Sequence, residues 1–200
     1  WGGNVIFSPD GSKLALTGGP SEFGNLGLNV PKGVIPNDYD NQLYIYDLSS
    51  KKMNSVSKDF NPSINSVYWL KDNLIYLTTV DGTREHLYSL NLSNNSYSYI
   101  NLGVETLGSI AFDKMGNKAI YVGASVNIHN KVFCYDLTAP KQSLLYDPEE
   151  NEYKNIKLGN VEDFNFINED GKTIEGFLHF PPNFDESKSY PCIVYYYGGT

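Results

Sequence analysis

Three stretches of the chain repeat one pattern at nearly constant spacing, and that period restricts the fold more than any other feature of the 200 residues. Each stretch has an apolar segment with an aromatic residue, a polar turn, a second apolar segment, and a later one that closes on Leu. The first runs Val5-Ile6-Phe7, then Ser8-Pro9-Asp10-Gly11, then Leu14-Ala15-Leu16, with Leu43 to Leu48 as its third segment. The second runs Val67-Tyr68-Trp69, then Leu74 to Leu77, with Leu87 to Leu92 following. The third runs Ile110-Ala111-Phe112, then Ala119 to Val122, with Val132 to Leu137 following. Trp69 and Phe112 are 43 positions apart, Leu43 and Leu87 are 44 apart, and Leu87 and Val132 are 45 apart. A period near 44 with about four short strands per repeat predicts β-propeller blades.

Composition agrees with an all-β reading. The chain holds 16 Tyr, 10 Phe and 2 Trp beside 18 Gly and 10 Pro, a mixture suited to pleated surfaces and tight turns. Asp10-Gly11, Asp81-Gly82 and Gly116-Asn117 supply residues that tolerate the positive φ of a hairpin turn. Phe7, Trp69, Phe112 and the Tyr44/Tyr46 pair are expected to pack blade against blade. Residues 18 to 40, with five Gly and three Pro, interrupt the first repeat between its second and third strands. They read as a solvated hairpin or Ω-loop at one mouth of the propeller, with a ligand-binding or gating loop as the alternative. Three blades do not close a ring, so residues 1 to about 155 are expected to be the last blades of a longer propeller. Trp1 and Thr200 give the sequence the look of a piece cut at both ends.

Charge and cysteine usage narrow the function. Lys and Arg number 15 against 23 Asp and Glu, a formal charge of −8. A nucleic-acid partner is therefore not expected, because phosphate binding needs a basic stripe. No apolar run reaches the roughly 18 residues of a membrane helix. Any targeting segment would lie outside the sequence, and a periplasmic or other extracytoplasmic compartment is placed slightly ahead of the cytoplasm. Cys134 and Cys192 sit in apolar strand patterns and read as buried thiols rather than a disulfide. No Cys-x-x-Cys or His-Glu-x-x-His occurs, so neither a metal nor another cofactor is expected. His86, His129 and His179 read as surface or strand histidines.

Near residue 155 the pattern changes. Val161 to Ile167, an Asn168-Glu169-Asp170-Gly171 turn and Thr173 to Phe180 read as a hairpin. A polar connector then leads to Tyr190-Pro191-Cys192-Ile193-Val194-Tyr195-Tyr196-Tyr197-Gly198-Gly199. So continuous an apolar run predicts a strand buried on both faces, as in the central sheet of an α/β enzyme.

Two motifs carry a resemblance to known families. Phe7-Ser8-Pro9-Asp10-Gly11 resembles the blade motif of TolB and prolyl oligopeptidase propellers. The later succession is more specific: an Asp-Gly turn, a Gly176-Phe177-Leu178 strand, a Pro181-Pro182-Asn183-Phe184-Asp185 connector, a Tyr190-Pro191 start and a Tyr197-Gly198-Gly199 turn. Together with the propeller, this resembles the prolyl oligopeptidase family of serine peptidases, which includes dipeptidyl and acylaminoacyl peptidases. Many relatives have His-Gly-Gly-Pro where this chain has Tyr197-Gly198-Gly199-Thr200; a Tyr there is similar to the prolyl oligopeptidase and dipeptidyl peptidase branches.

The resemblance implies a mainly β chain: propeller blades over residues 1 to 155, then the first strands of an α/β-hydrolase domain over residues 156 to 200. It implies Tyr197 as an oxyanion-hole donor, with Gly198 and Gly199 forming the turn beside it, and a Ser-Asp-His triad downstream. No G-x-S-x-G occurs in the sequence, so residues 1 to 200 alone are expected to be inactive. The implied partners are a peptide substrate and the rest of the same polypeptide, with a homodimer left open. A non-catalytic binding propeller and an inactive hydrolase homologue are the alternative readings.

Overall fold

The computed structural model describes residues 3–196, and these divide between two compact units, Trp1–Glu150 and Asn151–Thr200. The first unit is three four-stranded antiparallel sheets, each in simple up-and-down order. The first sheet comprises β1 (Val5–Phe7), β2 (Lys13–Gly18), β3 (Gln42–Asp47) and β4 (Lys52–Ser55). The second comprises β5 (Ser63–Lys71), β6 (Leu74–Asp81), β7 (Arg84–Asn91) and β8 (Ser96–Ile100). The third comprises β9 (Thr106–Phe112), β10 (Lys118–Ser125), β11 (Ile128–Asp136) and β12 (Lys141–Tyr146). These are the three expected blades.

Period-two alternation divides the middle blade's side chains between two cores. On β6, Ile75 and Leu77 pack with Ala15, Leu43 and Ile45 of the first blade, whereas Tyr76 between them packs with Leu107, Ile110 and Tyr121 of the third. Successive strand residues point to opposite faces, so the middle blade is buried on both and reads as an unbroken buried run from Ile75 to Thr79. Trp69 and Phe112 pack between blades as expected; Phe112 lies at 4.9 Å from the Tyr76 ring and 5.0 Å from the Tyr68 ring.

Phe7 and the Tyr44/Tyr46 pair depart from that expectation. Ile6 faces the second blade, so Phe7 beside it points away and is 65% exposed. Leu43 and Ile45 likewise take the inter-blade positions, leaving Tyr44 and Tyr46 on the opposite face. Tyr44 is nevertheless fully buried, because the segment between β2 and β3 folds over it.

Turn chemistry repeats with the blades. Gly11 and Gly116 hold φ of 70° and 61° in the turns after β1 and β9. The preceding acid caps each turn: Asp10 Oδ1 accepts from the Ser12 N–H at 3.0 Å, and Asp113 Oδ1 from the Asn117 and Lys118 N–H groups at 2.6 and 2.8 Å. Asp47, Asn91 and Asp136 do the same after the third strand of each blade. The Asp81-Gly82 turn instead joins β6 to β7, with Gly82 at φ 57°.

In the second unit, β13 (Val161–Ile167) pairs with β14 (Thr173–His179) in register from Val161↔His179 to Ile167↔Thr173. Asn168 Oδ1 caps their turn by accepting from the Asp170 and Lys172 N–H groups. The expected doubly buried strand does not form over residues 191–196. Ile193 and Tyr195 are 94% and 90% exposed, and no ladder pairs the segment. An apolar run becomes a strand only when its backbone groups find partners, and among the described residues the β13–β14 hairpin offers it none. Cys192 is accordingly exposed, against the expectation of a buried thiol; Cys134 is half-buried on β11.

Candidate functional site

Antiparallel order places the ends of the strands. The β2–β3, β6–β7 and β10–β11 connections, the links between blades and the chain leaving β12 all lie at one end of the three-blade arc. Backbone bonds lace that end together: Ile64 N–H donates to the Asn41 carbonyl, Glu85 N–H to Glu105, and Glu105 N–H to Ala124, each at 2.9 Å.

The segment between β2 and β3 is a pinned loop without strands. Left-handed backbone at Phe23, Gly24 and Asn25 turns it back, and the Phe23 ring meets Tyr44 edge-on at 4.8 Å. The Tyr44 hydroxyl donates to the Gly19 carbonyl at 2.9 Å, Gln42 Nε2 donates to the Gly27 carbonyl at 2.9 Å, and the Ser21 N–H donates to Asp38 Oδ1 at 2.9 Å. Burial pushes the Tyr44 hydroxyl up to about 12, with the carboxylates of Glu22 and Asp38 adding to the shift.

Two ion-pair groups stand at the same end. Arg84 Nη2 lies 3.1 Å from Glu105 Oε1, joining the β6–β7 turn to the link between the second and third blades. Where the chain leaves β12, Asp147 takes Lys131 Nζ at 2.7 Å and His129 Nε2 at 2.5 Å, both from β11. The Lys131 and His129 hydrogen bonds hold the Asp147 carboxyl down to about 2. Lys131 shares the carboxylate, so this is an anchoring cluster for the end of β12. His86 packs its ring on Tyr99 at 5.0 Å within the second blade, and His179 is exposed at the end of β14. The histidines thus sit where strand and surface residues were expected.

The second unit carries a cavity of about 790 Å³, lined by Phe177 to Pro181, Phe184 and the 190–195 segment. The connector folds back on itself to make it: Phe184 lies 4.5 Å from the Phe180 ring and 5.1 Å from Tyr190, whose hydroxyl accepts from the Asp185 N–H at 3.0 Å. Tyr197, Gly198 and Gly199, the site residues read from the sequence, lie outside the described residues. Among the described residues no group of three or more His, Cys, Asp or Glu side chains is arranged to hold a metal ion, and no helix is long and apolar enough to cross a membrane.

No family model matches the chain. Over 209 aligned residues it is 26% identical to dipeptidyl-peptidase 5 of Aspergillus oryzae, an alignment that covers 98% of this chain and 26% of that protein. The chain therefore spans about a quarter of the length of the curated relatives it matches. In fold it is similar to the acylaminoacyl peptidase of Pyrococcus horikoshii, with a TM-score of 0.65 at 17% identity over 94% of this chain and 26% of that one. It is also similar to the β-propeller domain of the trilobed protease of Pyrococcus furiosus, with a TM-score of 0.54 at 17% identity over 78% of this chain and 41% of that one. Sequence likeness to a dipeptidyl peptidase and a fold shared with an acylaminoacyl peptidase uphold the resemblance to the prolyl oligopeptidase family.

Proposed function

We propose that the chain is part of a serine peptidase that hydrolyses short peptides through an acyl-enzyme, with residues 1–155 as propeller blades that limit substrate size and residues 156–200 as the opening of an α/β-hydrolase domain. The observation that carries the reading is the alignment with dipeptidyl-peptidase 5 across 98% of the chain. In this reading the nucleophile, its base and the orienting acid come from the part of the protein outside these 200 residues. Acyl transfer develops negative charge on the substrate carbonyl oxygen, and the Tyr197 hydroxyl donates to it more strongly than to the ground state. A backbone N–H next to the nucleophile is the second donor. Gly198 and Gly199 let the backbone turn close to the substrate without a Cβ in the way.

Labelling of the whole protein with an alkyl fluorophosphonate tests the reading. Covalent modification of a single serine, with loss of peptide-nitroanilide hydrolysis, is the expected result. A whole protein that neither labels nor hydrolyses would leave an inactive homologue or a binding propeller in its place. Residues 1–200 alone should show no hydrolysis.

A further inference from the structure

Beneath the pinned loop, between it and the link from β4 to β5, lies a cleft of about 250 Å³ that belongs wholly to the first unit. Its polar wall is made of carboxamides, Asn29, Asn37, Asn41, Gln42 and Asn61, with the single carboxylate of Asp40, and Phe60, two prolines and a valine give it an apolar side. Phe60 is held rigidly, stacked on Tyr97 at 4.0 Å and edge-on to Tyr88 at 5.0 Å. Part of the wall is held by hydrogen bonds: Asn29 Nδ2 donates to the Lys58 carbonyl at 3.1 Å, Asn37 Oδ1 accepts from the Tyr39 N–H at 3.2 Å, and the backbone of Asn41 is bonded to Ser63 Oγ and the Ile64 N–H. Asp40, Asn41 and Asn61 are exposed, and among the described residues their side-chain heads make no hydrogen bond to protein, so they are open to solvent or a ligand.

The chemistry of this wall selects a class of ligand. A carboxamide has both a donor and an acceptor, the same pair that a peptide group presents, so facing Asn side chains match the backbone of an extended peptide. No Lys or Arg lines the cleft, and its one charge is negative, which disfavours an acidic side chain or a phosphate. We propose that this cleft is a binding site for a short neutral or basic stretch of peptide, held through its backbone amides by Asn41 and Asn61 and screened for charge by Asp40. The proposal rests on the peptidase reading above for its choice of peptide over other amide-bearing ligands; it adds a site within the first unit.

The test is a titration of the 200-residue chain, labelled with ¹⁵N, with three blocked probes: acetyl-tetraglycine amide and its analogues carrying one Lys or one Asp. The side-chain NH2 signals of Asn41 and Asn61 should shift saturably with the neutral and Lys probes. Asn61→Ala should weaken binding by about three- to tenfold, the effect of one lost amide hydrogen bond. Asp40→Asn should remove a preference of about two- to fivefold for the Lys probe over the Asp probe. Both variants change exposed side chains, and an unchanged melting temperature will show that each still folds. Absence of saturable shifts, equal binding of the Lys and Asp probes by the unmodified chain, or the same shifts produced by methyl glucoside but not by peptide would overturn the assignment. The titration reads binding alone, so its failure leaves the hydrolytic reading standing, and an unlabelled serine in the whole protein leaves a positive titration standing.

Discussion

The Tyr44 hydroxyl donates to the Gly19 carbonyl at 2.9 Å, and that contact converts a 23-residue interruption of the first blade into a fixed lid over the blade's outward face. Without it, the fully buried phenol would keep only the longer bond to Gln42 Oε1 at 3.4 Å, and the loop would lose the anchor closest to its N-terminal end. Tyr44→Phe should therefore cost about 0.5–1.5 kcal/mol, the net worth of one hydrogen bond, since the Gly19 carbonyl keeps the Glu22 N–H as a donor at 3.1 Å. Urea unfolding followed by fluorescence measures it. A loss well under 0.5 kcal/mol would mean that the loop is held elsewhere.

Gly27 lies against the same tyrosine. A Cβ built there would meet the Tyr44 hydroxyl and Gln42 Oε1, two groups already committed to the loop's hydrogen bonds. Gly27→Ala should destabilise the chain by about 1–3 kcal/mol through overpacking, although alanine is otherwise easily accommodated. Limited proteolysis should cut the 19–41 segment faster in this variant than in the parent.

Burial distinguishes two apolar residues of similar sequence appearance. Leu77 is completely buried between the first and second blades, whereas Phe7 is 65% exposed. Leu77→Ala should cost about 2–5 kcal/mol. Phe7→Ala in the 200-residue chain should stay within about 0.5 kcal/mol, as surface substitutions do. Equal losses at the two positions, measured by urea midpoint at constant m-value, would contradict the assignment of faces on β1 and β6.

Acid should weaken the first unit over a defined interval. Asp10 is held at about 2 by the Ser8 hydroxyl and the Ser12 N–H, Asp47 at about 2 by the Ser50 N–H and the Ser49 hydroxyl, and Asp147 at about 2 by Lys131 and then His129. Each folded-state value lies below the ordinary carboxylate value of 3.8. The unfolded chain therefore binds more protons between about pH 4 and pH 2, so stability rises with pH across that window and these groups add no slope above it. Urea midpoints from pH 6 down to pH 2 should trace this, and Asp147→Asn should flatten the curve. A curve with no slope below pH 4 would show that the carboxylates are not held in the folded state.

If Tyr197 is the oxyanion donor of the whole protein, Tyr197→Phe should lower kcat by about 10²–10³ with little change in KM, because the lost bond strengthens only in the transition state. An unchanged kcat would rule Tyr197 out as the oxyanion donor.

The blade architecture was legible in the one-dimensional pattern because its causes are local. A strand of three to nine residues, an Asp or Asn that caps the following turn, and a glycine at positive φ are each written into a few adjacent positions, and the 44-residue spacing repeats them. Period two in the apolar residues was equally plain, but which of two aromatic faces meets the next blade was not. Ile6, Leu43 and Ile45 take that contact in place of Phe7, Tyr44 and Tyr46, a choice set by how neighbouring sheets stack. The same limit applies to residues 191–196, where apolar composition suggested a buried strand but only partner strands supply the hydrogen bonds that make one. The resemblance to the prolyl oligopeptidase family is upheld by an alignment over 98% of the chain and by a shared fold. The amide cleft beneath the 19–41 loop was not visible in the sequence, since Asn29, Asn41 and Asn61 come together only when the loop closes over Tyr44 and the link to the second blade. Local backbone chemistry is written in the order of residues, whereas the neighbours of a side chain depend on which surfaces the folded sheets leave free to meet.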